Sequence, residues 1–212
     1  MEPIGAEGRD AMRGLLGAVN ESLGAPMAPP WEAACREVPR HAFLPEKIWV
    51  GEDLKECSRG AAPGEWLRHA YADTAVVTQV NDGQAAAEVG ERWASCSASA
   101  PSIVFRMLDM LDVRPGHRVL EIGTGTGWNA GLLGPKLVTT IKVDPALAAQ
   151  AAGCLERVGL GAEVVQGDGA RGHAAGAPYD RVVATCSVRA VPPEWVAQTA
   201  PGGVVLVPWE SP

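Results

Sequence analysis

The second half of this 212-residue chain predicts an α/β fold with a largely parallel sheet, on three observations. From residue 101 onward, short apolar runs alternate with helical periods through links of a few residues, the pattern of β-α-β units. The runs are nearly continuous in apolar character rather than alternating, as burial on both faces of a sheet requires. A glycine-rich segment, Gly123-Thr-Gly-Thr-Gly127, stands between the first of these runs and the helix that follows it.

Taken in order, residues 12–23 set Met12, Leu15, Leu16, Val19 and Leu23 on a helical period that Gly24 and Pro26 end. Residues 31–38 read as a short helix entered through Pro29 and Pro30. Residues 39–64 mix Pro, Gly and charge and read as irregular, and 65–72 as one or two helical turns. Residues 75–80 read as a strand with Asn81-Asp82-Gly83 as its turn, followed by a polar loop to residue 100. Pro101 opens a helix with Ile103, Met107 and Met110 on one face. Strands are expected at 118–122, 137–143, 162–166, 181–185 and 204–208. Helices are expected opening near Trp128, at 145–158 and at 193–199, with Pro201-Gly-Gly203 as a turn. No internal repeat is visible. Residues 1–100 therefore read as a helical and irregular elaboration, and 101–212 as an α/β core, one compact domain overall.

Composition excludes several classes. With 47% hydrophobic and 20% charged residues, the chain can bury a core and is not of disordered type. No run approaches the roughly 20 apolar residues of a membrane helix, and residues 1–10 lack the basic and apolar segments of a secretory signal. Net charge is −7 without a basic run, so a nucleic-acid partner is not favoured. Five scattered cysteines without a C-x-x-C pair fit a reducing cytoplasm and neither a disulfide framework nor a zinc site. Four read as small buried hydrophobes, and Cys96, beside the serine loop, as a bystander rather than a nucleophile, since nothing in sequence lowers its pKa. The four histidines lack metal-ligand spacing and read as loop or surface residues.

The glycine segment admits two ligands. A dinucleotide site needs G-x-G-x-x-G, and its third glycine position falls here on Trp128. The observed pattern is G-x-G-x-G, with Glu121 two positions before the first glycine. A carboxylate at that strand end repels a pyrophosphate and suits a cationic ligand. S-adenosylmethionine carries an ammonium and a sulfonium, so both spacing and charge favour a Rossmann-like S-adenosylmethionine site over a nucleotide site. The bland alternative is a glycine turn without a ligand. Gly167-Asp168-Gly169, after the third strand, offers Asp168 as acceptor for an adenine amino group beside the open approach of Gly169; alone it is an ordinary turn.

Seven segments resemble the protein-L-isoaspartate (D-aspartate) O-methyltransferase family. They are Val38-Pro-Arg-His-Ala-Phe-Leu-Pro45, Ala70-Tyr-Ala-Asp73, Ser97-Ala-Ser-Ala-Pro101, Val119 through Gly127, Gly167-Asp-Gly169, Ala177-Pro-Tyr-Asp180 and Pro201-Gly-Gly203. Further stretches, Val77-Thr-Gln-Val-Asn-Asp82, Ser102-Ile-Val104, Ala184-Thr-Cys186 and Pro208-Trp209, are similar to an actinobacterial branch associated with ribosomally made peptides. The resemblance implies methyl transfer from S-adenosylmethionine to an aspartyl or isoaspartyl carboxylate of a protein or precursor peptide, in repair or in peptide maturation. Ser99 would hold one carboxylate oxygen while the other attacks, with Ser97 assisting. Glu121, Gly123, Thr124, Gly125, Gly127, Trp128, Lys142, Val143, Asp144, Asp168, Gly169 and Thr185 would bind the cofactor. The competing reading makes the serine loop a polar linker that caps the helix after Pro101.

A carboxylate acceptor is already ionised at neutral pH and needs no general base, in keeping with a sequence that shows no catalytic His or Cys cluster. Three features depart from the family. Where the second core strand ends in an acid that receives the ribose hydroxyls, this chain has Lys142, which has no acceptor; Asp144 is the nearest substitute. The link Gly134-Pro-Lys-Leu137 is short. The sequence stops soon after the fifth core strand, where the family continues into two more, so C-terminal strands are expected to be missing. A protein that kept the fold as a weakened binding or scaffold module, and an enzyme with another small methyl acceptor, stay open at this point.

Overall fold

A computed structural model describes residues 5–84, 92–134 and 137–210. The middle of the polar loop (85–91) and of the short link (135–136) lie outside the described residues. Residues 1–106 and 107–212 form two compact units, and the division falls inside a helix.

The first unit opens with α1 (Ala6–Leu23), whose buried face is Met12, Leu15, Leu16 and Val19, and which ends on Gly24 in a left-handed conformation. Helix α2 (Pro29–Glu37) follows, with Pro at its first turn. The stretch expected to be irregular instead contains a hairpin, β1 (Lys47–Val50) and β2 (Lys55–Ser58), paired antiparallel from Lys47–Ser58 to Val50–Lys55. Each strand has four residues and buries one side chain, Ile48 or Cys57, so neither is long enough to display a period. Helix α3 (Pro63–Ala70) precedes β3 (Val76–Val80). The expected polar loop ends in a further strand, β4 (Ala94–Ala98), which buries Cys96 and Ala98 and exposes Ser97. Its residues, Ala-Ser-Cys-Ser-Ala, are too small to signal a strand. The sheet order is β2-β1-β3-β4, and shifts in the β3–β4 register mark bulges beside Thr78 and Ser95.

Helix α4 (Pro101–Leu111) crosses the division. It buries Val104, Phe105, Leu108 and Leu111 and exposes Ile103 and Met110, so the stripe noted from sequence is not the buried one. Both stripes have helical spacing, and only the surroundings choose between them. The second unit continues with β5 (Val119–Ile122), α5 (Trp128–Leu133), β6 (Val138–Lys142), α6 (Pro145–Arg157), β7 (Glu163–Gln166), β8 (Tyr179–Ala184), α7 (Pro193–Ala197) and β9 (Thr199–Leu206). The five strands are all parallel, in the order β7-β6-β5-β8-β9. The chain winds outward from β5 in one direction, then returns to β8 and winds the other way. The carboxyl ends of β5 and β8 therefore flank the switch point, where open α/β sheets bind ligands.

The core of this unit gathers Leu120, Ile122, Ile141, Tyr179, Val182, Ala184 and Trp195. Strand β9 starts earlier than expected and takes in Pro201-Gly-Gly203 as a bulge: Tyr179 pairs with Thr199, and Arg181 with Val204. A Cβ at Gly203 would lie 2.9 Å from the Asp180 carbonyl oxygen, so only glycine fits against β8 there. Buried Arg181 donates from Nε to the Leu111 carbonyl at 2.6 Å and from a terminal nitrogen to Asp112 at 2.9 Å, placing a cation at the carboxyl end of α4.

Candidate functional site

In the second unit, the cofactor-binding candidates sit at or just beyond the carboxyl ends of four adjacent strands. Glu121 and Gly123 belong to the end of β5, Lys142, Val143 and Asp144 to β6, Asp168 and Gly169 to β7, and Thr185 to β8. The topology thus brings to one rim residues spread over 65 positions of sequence, counting from Glu121 to Thr185.

The turn after β5 is tightly fastened. Gly123 N–H and Thr124 N–H both donate to the Ile141 carbonyl, at 3.0 and 3.1 Å, and Gly127 N–H closes on Thr124 at 2.8 Å. Gly123 has φ +97°, and Gly125 and Gly127 are also left-handed. A Cβ on Gly123 would lie 2.8 Å from Thr185 Oγ1. That hydroxyl donates to the Gly123 carbonyl, and Thr185 N–H donates to Ile122 at 2.9 Å. Thr185 is thus a peg holding the glycine turn against β8. Gly123→Ala combines a forbidden φ with a steric clash. It is expected to lower unfolding stability by about 1–3 kcal/mol, read by urea titration.

Glu121 is the most buried charge-bearing group of this rim, with no exposed surface. It faces Thr140 across the β5–β6 pair. Thr140 Oγ1 donates to Glu121 Oε2 at 2.6 Å, Asn129 Nδ2 donates to Oε1 at 2.7 Å, and Thr124 Oγ1 lies 2.7 Å from Thr140 Oγ1. A hydroxyl has one proton, so with Thr140 donating to the carboxylate, Thr124 donates to Thr140. Burial pushes the Glu121 carboxyl up to about 7, and the Thr140 and Asn129 hydrogen bonds offset only part of that. Sequence reading singled out Glu121 and Thr124 but passed over Thr140 and Asn129. The available signal was a pair of threonines inside a doubly covered strand, where a buried hydroxyl needs a partner.

The remaining rim residues are more open. Val143 is 66% exposed. Asp144 caps α6, its Oδ1 accepting from Ala146 N–H at 2.8 Å and Leu147 N–H at 3.1 Å, so one of its two oxygens is committed locally. Asp168 accepts from Ala170 N–H at 3.0 Å and caps the single turn that Gly169 opens. Gly169 packs against Ile122, and its carbonyl accepts from Trp195 Nε1 at 2.8 Å. Trp128 is buried as the first residue of α5. Cys186, expected from sequence to be buried, is exposed beyond Thr185.

In the first unit, Ser97 is exposed on β4 and Ser99 is half-buried just past its end. The residues that shape this loop come from the two other family-like segments. Arg40, 1% exposed, donates to the carbonyls of Ala70, Ala72, Thr74, Ala98 and Ser99 at 3.0–3.4 Å. Burial lowers its pKa to about 10, far above neutrality, so it stays a cation. Asp73 accepts from Ser102 N–H and from Ser22 Oγ, both at 2.7 Å. Burial alone would raise its carboxyl, but the Ser22 and Ser102 hydrogen bonds and the Arg40 charge hold it below the ordinary range. The start of α4 is thus capped from a distance by Asp73. His41, expected to be an unremarkable loop residue, is half-buried, with Nδ1 2.6 Å from Tyr71 Oη; burial lowers its pKa. Cys96 lies buried in β4. Among the described residues, no three His, Cys, Asp or Glu side chains are grouped to hold a metal, and no helix is long and apolar enough to cross a membrane.

Comparison with known proteins places these features in a family. The model of the protein-L-isoaspartate(D-aspartate) O-methyltransferase (PCMT) family matches residues 50–211. The protein-L-isoaspartate O-methyltransferase of Methanopyrus kandleri is 32% identical over 182 residues, covering 82% of this chain and 66% of the relative. Protein-L-isoaspartate O-methyltransferase 1 of Rhodopseudomonas palustris is 37% identical over 179 residues, covering 83% and 60%. The chain thus spans 60–66% of the length of these two relatives. A solved protein-L-isoaspartate O-methyltransferase at 27% identity matches with a TM-score of 0.71, over 93% of this chain and 55% of that one. A β-aspartate methyltransferase from Plasmodium falciparum, solved with S-adenosyl-L-homocysteine, shares the fold at 15% identity and TM-score 0.67, over 94% and 84%. With the glycine turn, the buried acid beside it and a family match over most of its length, this chain belongs to the protein-L-isoaspartate(D-aspartate) O-methyltransferase family.

Proposed function

We propose that this chain is an S-adenosylmethionine-dependent carboxyl O-methyltransferase acting on an L-isoaspartyl or L-aspartyl residue of a protein or peptide. The observation that carries the reading is the glycine turn after β5, pinned by Thr185 and backed by the buried Glu121 carboxyl. A carboxylate in that place suits a ligand with an ammonium group, and the close backbone suits a flat, tightly held one. When bound, S-adenosylmethionine supplies an activated methyl group on a sulfonium. Gly123, Thr124, Gly125, Gly127 and Trp128 would hold its amino-acid part, and Asp168 and Gly169 its adenine.

The acceptor carboxylate is ionised at neutral pH, so the protein is not required to remove a proton. Joining an anion to a cation destroys both charges, and a strongly polar site would stabilise the reactants more than the transition state. Alignment and exclusion of water are what accelerate such a reaction. Ser99 is assigned the role of holding one carboxylate oxygen, with Ser97 assisting. The methyl ester formed is a good electrophile; the following backbone nitrogen attacks its carbonyl, methanol leaves with the amide proton, and a succinimide results, as peptide maturation or protein repair would use. Five scattered cysteines without a C-x-x-C pair fit a cytoplasmic setting.

A second reading, a weakened binding module, is favoured by one residue. Lys142 ends β6 where the resemblance expects an acid for the ribose hydroxyls, and it offers no acceptor. Asp144, two residues on, is the nearest acceptor in sequence. Restoring an acceptor with Lys142→Glu is expected to tighten S-adenosylhomocysteine about tenfold in calorimetry. No tightening would move the ribose elsewhere.

The function itself is tested by incubating the protein and S-adenosylmethionine with a synthetic isoaspartyl peptide, its aspartyl isomer and a peptide encoded beside the gene. Mass spectrometry then scores the gain of one methyl group and, once ring closure expels methanol, the net loss of one water from the starting peptide. Methylation of the isoaspartyl isomer alone indicates repair, and of the neighbouring peptide, maturation. No methylation of any acceptor, with cofactor bound, would favour the binding-module reading.

A further inference from the structure

We infer that Arg40 and Asp73 are positioning residues that act through Ser99, holding its loop from both sides. The inference rests on the role proposed for Ser99. Five carbonyl oxygens converge on one buried guanidinium, from the end of α3 (Ala70, Ala72), the approach to β3 (Thr74) and the serine loop (Ala98, Ser99). A cation buried among neutral acceptors is costly unless its donors are engaged, so every carbonyl withdrawn from it carries a penalty. Two carbonyls engage Nη1 and three share the two hydrogens of Nη2, so turning the Ser99 peptide withdraws one of the oxygens gathered around a buried charge.

The other end of the loop is fixed independently. Asp73 takes the Ser102 N–H and the Ser22 hydroxyl, one on each carboxylate oxygen. Ser99, Ala100 and Pro101 thus span the interval between a cation on the Ser99 carbonyl and an anion on the Ser102 amide. Pro101 narrows the backbone freedom of that interval further. Neither Arg40 nor Asp73 reaches the Ser99 hydroxyl in these contacts, so the effect passes through the backbone. A misplacement of about 1 Å at a reacting group can lower a rate by roughly 10²-fold, which is the advantage such rigidity confers.

The test uses Arg40→Lys and Asp73→Asn, which keep much of the volume of each side chain. Lysine retains the cation but cannot reach five carbonyls from one nitrogen, and asparagine accepts from Ser102 but not from Ser22 on its amide nitrogen. Hydrogen exchange should speed up at residues 98–103 in both variants and stay unchanged at 121–128. Methyl transfer to an isoaspartyl peptide should fall about tenfold in kcat, with the S-adenosylhomocysteine Kd within about twofold of the parent. In a Ser99→Ala background, the same substitutions should lower kcat less than about twofold further, because the group they position is gone. Unchanged exchange at 98–103 overturns the clamp, whether or not the protein turns over. An equal loss of kcat in both backgrounds shows a general structural effect and overturns action through Ser99. Full turnover by Ser99→Ala alone instead overturns the role proposed for Ser99, and with it the functional half of the inference.

Discussion

Glu121→Gln is expected to make the protein more stable than its parent at pH 8 by up to about 3 kcal/mol, with little difference at pH 4. The direction follows from the proton balance. Below pH 4.5 the carboxyl holds its proton in both folded and unfolded chains, and the fully buried site carries no charge. Between pH 4.5 and about 7 the unfolded chain releases the proton while the folded chain retains it, so stability falls as pH rises. Above about 7 the folded protein carries the full cost of a buried anion. Glutamine removes the titration and still bridges Asn129 and Thr140, since its amide can both accept and donate. Asp73 and Asp112, whose carboxyls are held low, oppose this trend at acid pH in parent and variant alike, so the difference between the two isolates Glu121.

The same substitution should weaken S-adenosylhomocysteine by roughly 10- to 100-fold, the range for losing a charge-assisted interaction. Stability and ligand affinity then move in opposite directions, as expected where a buried charge is kept for a ligand rather than for the fold. Urea titrations of both proteins at pH 4, 6 and 8, with calorimetry at pH 8, read both quantities. Parallel stability profiles would show that Glu121 does not titrate in this range.

Ser99→Ala should reduce methyl transfer by roughly 10- to 100-fold while leaving cofactor affinity within about twofold. The contact that the fold makes with Ser99 goes through its carbonyl to Arg40, which alanine keeps. Stability should therefore change by less than about 0.5 kcal/mol, the usual range for a substitution that breaks no buried contact. The rate loss comes from alignment: a reacting oxygen held about 1 Å out of place can lower a rate by roughly 10²-fold, which sets the upper end of the expected effect. Ser97, exposed on β4 and paired with Val77, should matter less. Steady-state kinetics with a tritiated methyl donor, beside a thermal melt, separate the two contributions. Near-parental turnover would remove Ser99 from the chemistry.

What sequence alone determined is the part governed by local rules. The helical stripe of residues 12–23, the succession of β5 to β9 along the chain, the glycine turn and the acid before it were all legible, because apolar period and turn chemistry act within a few residues. The family resemblance came from the same local segments. Tertiary structure decided what depends on distant partners. The β1–β2 hairpin and β4 are short strands of weak propensity, stabilised by their neighbours in the sheet rather than by their own residues. The buried face of α4 was a choice between two equal stripes, settled by packing. Glu121 could be named from sequence as a charge at a strand end, but its partner Thr140 lies 19 positions away and emerges only from the parallel register. Arg40 lies 30 to 59 positions from the carbonyls it gathers. No local pattern announces a guanidinium bound to backbone oxygens, because carbonyls are present at every residue and only the fold selects which of them converge.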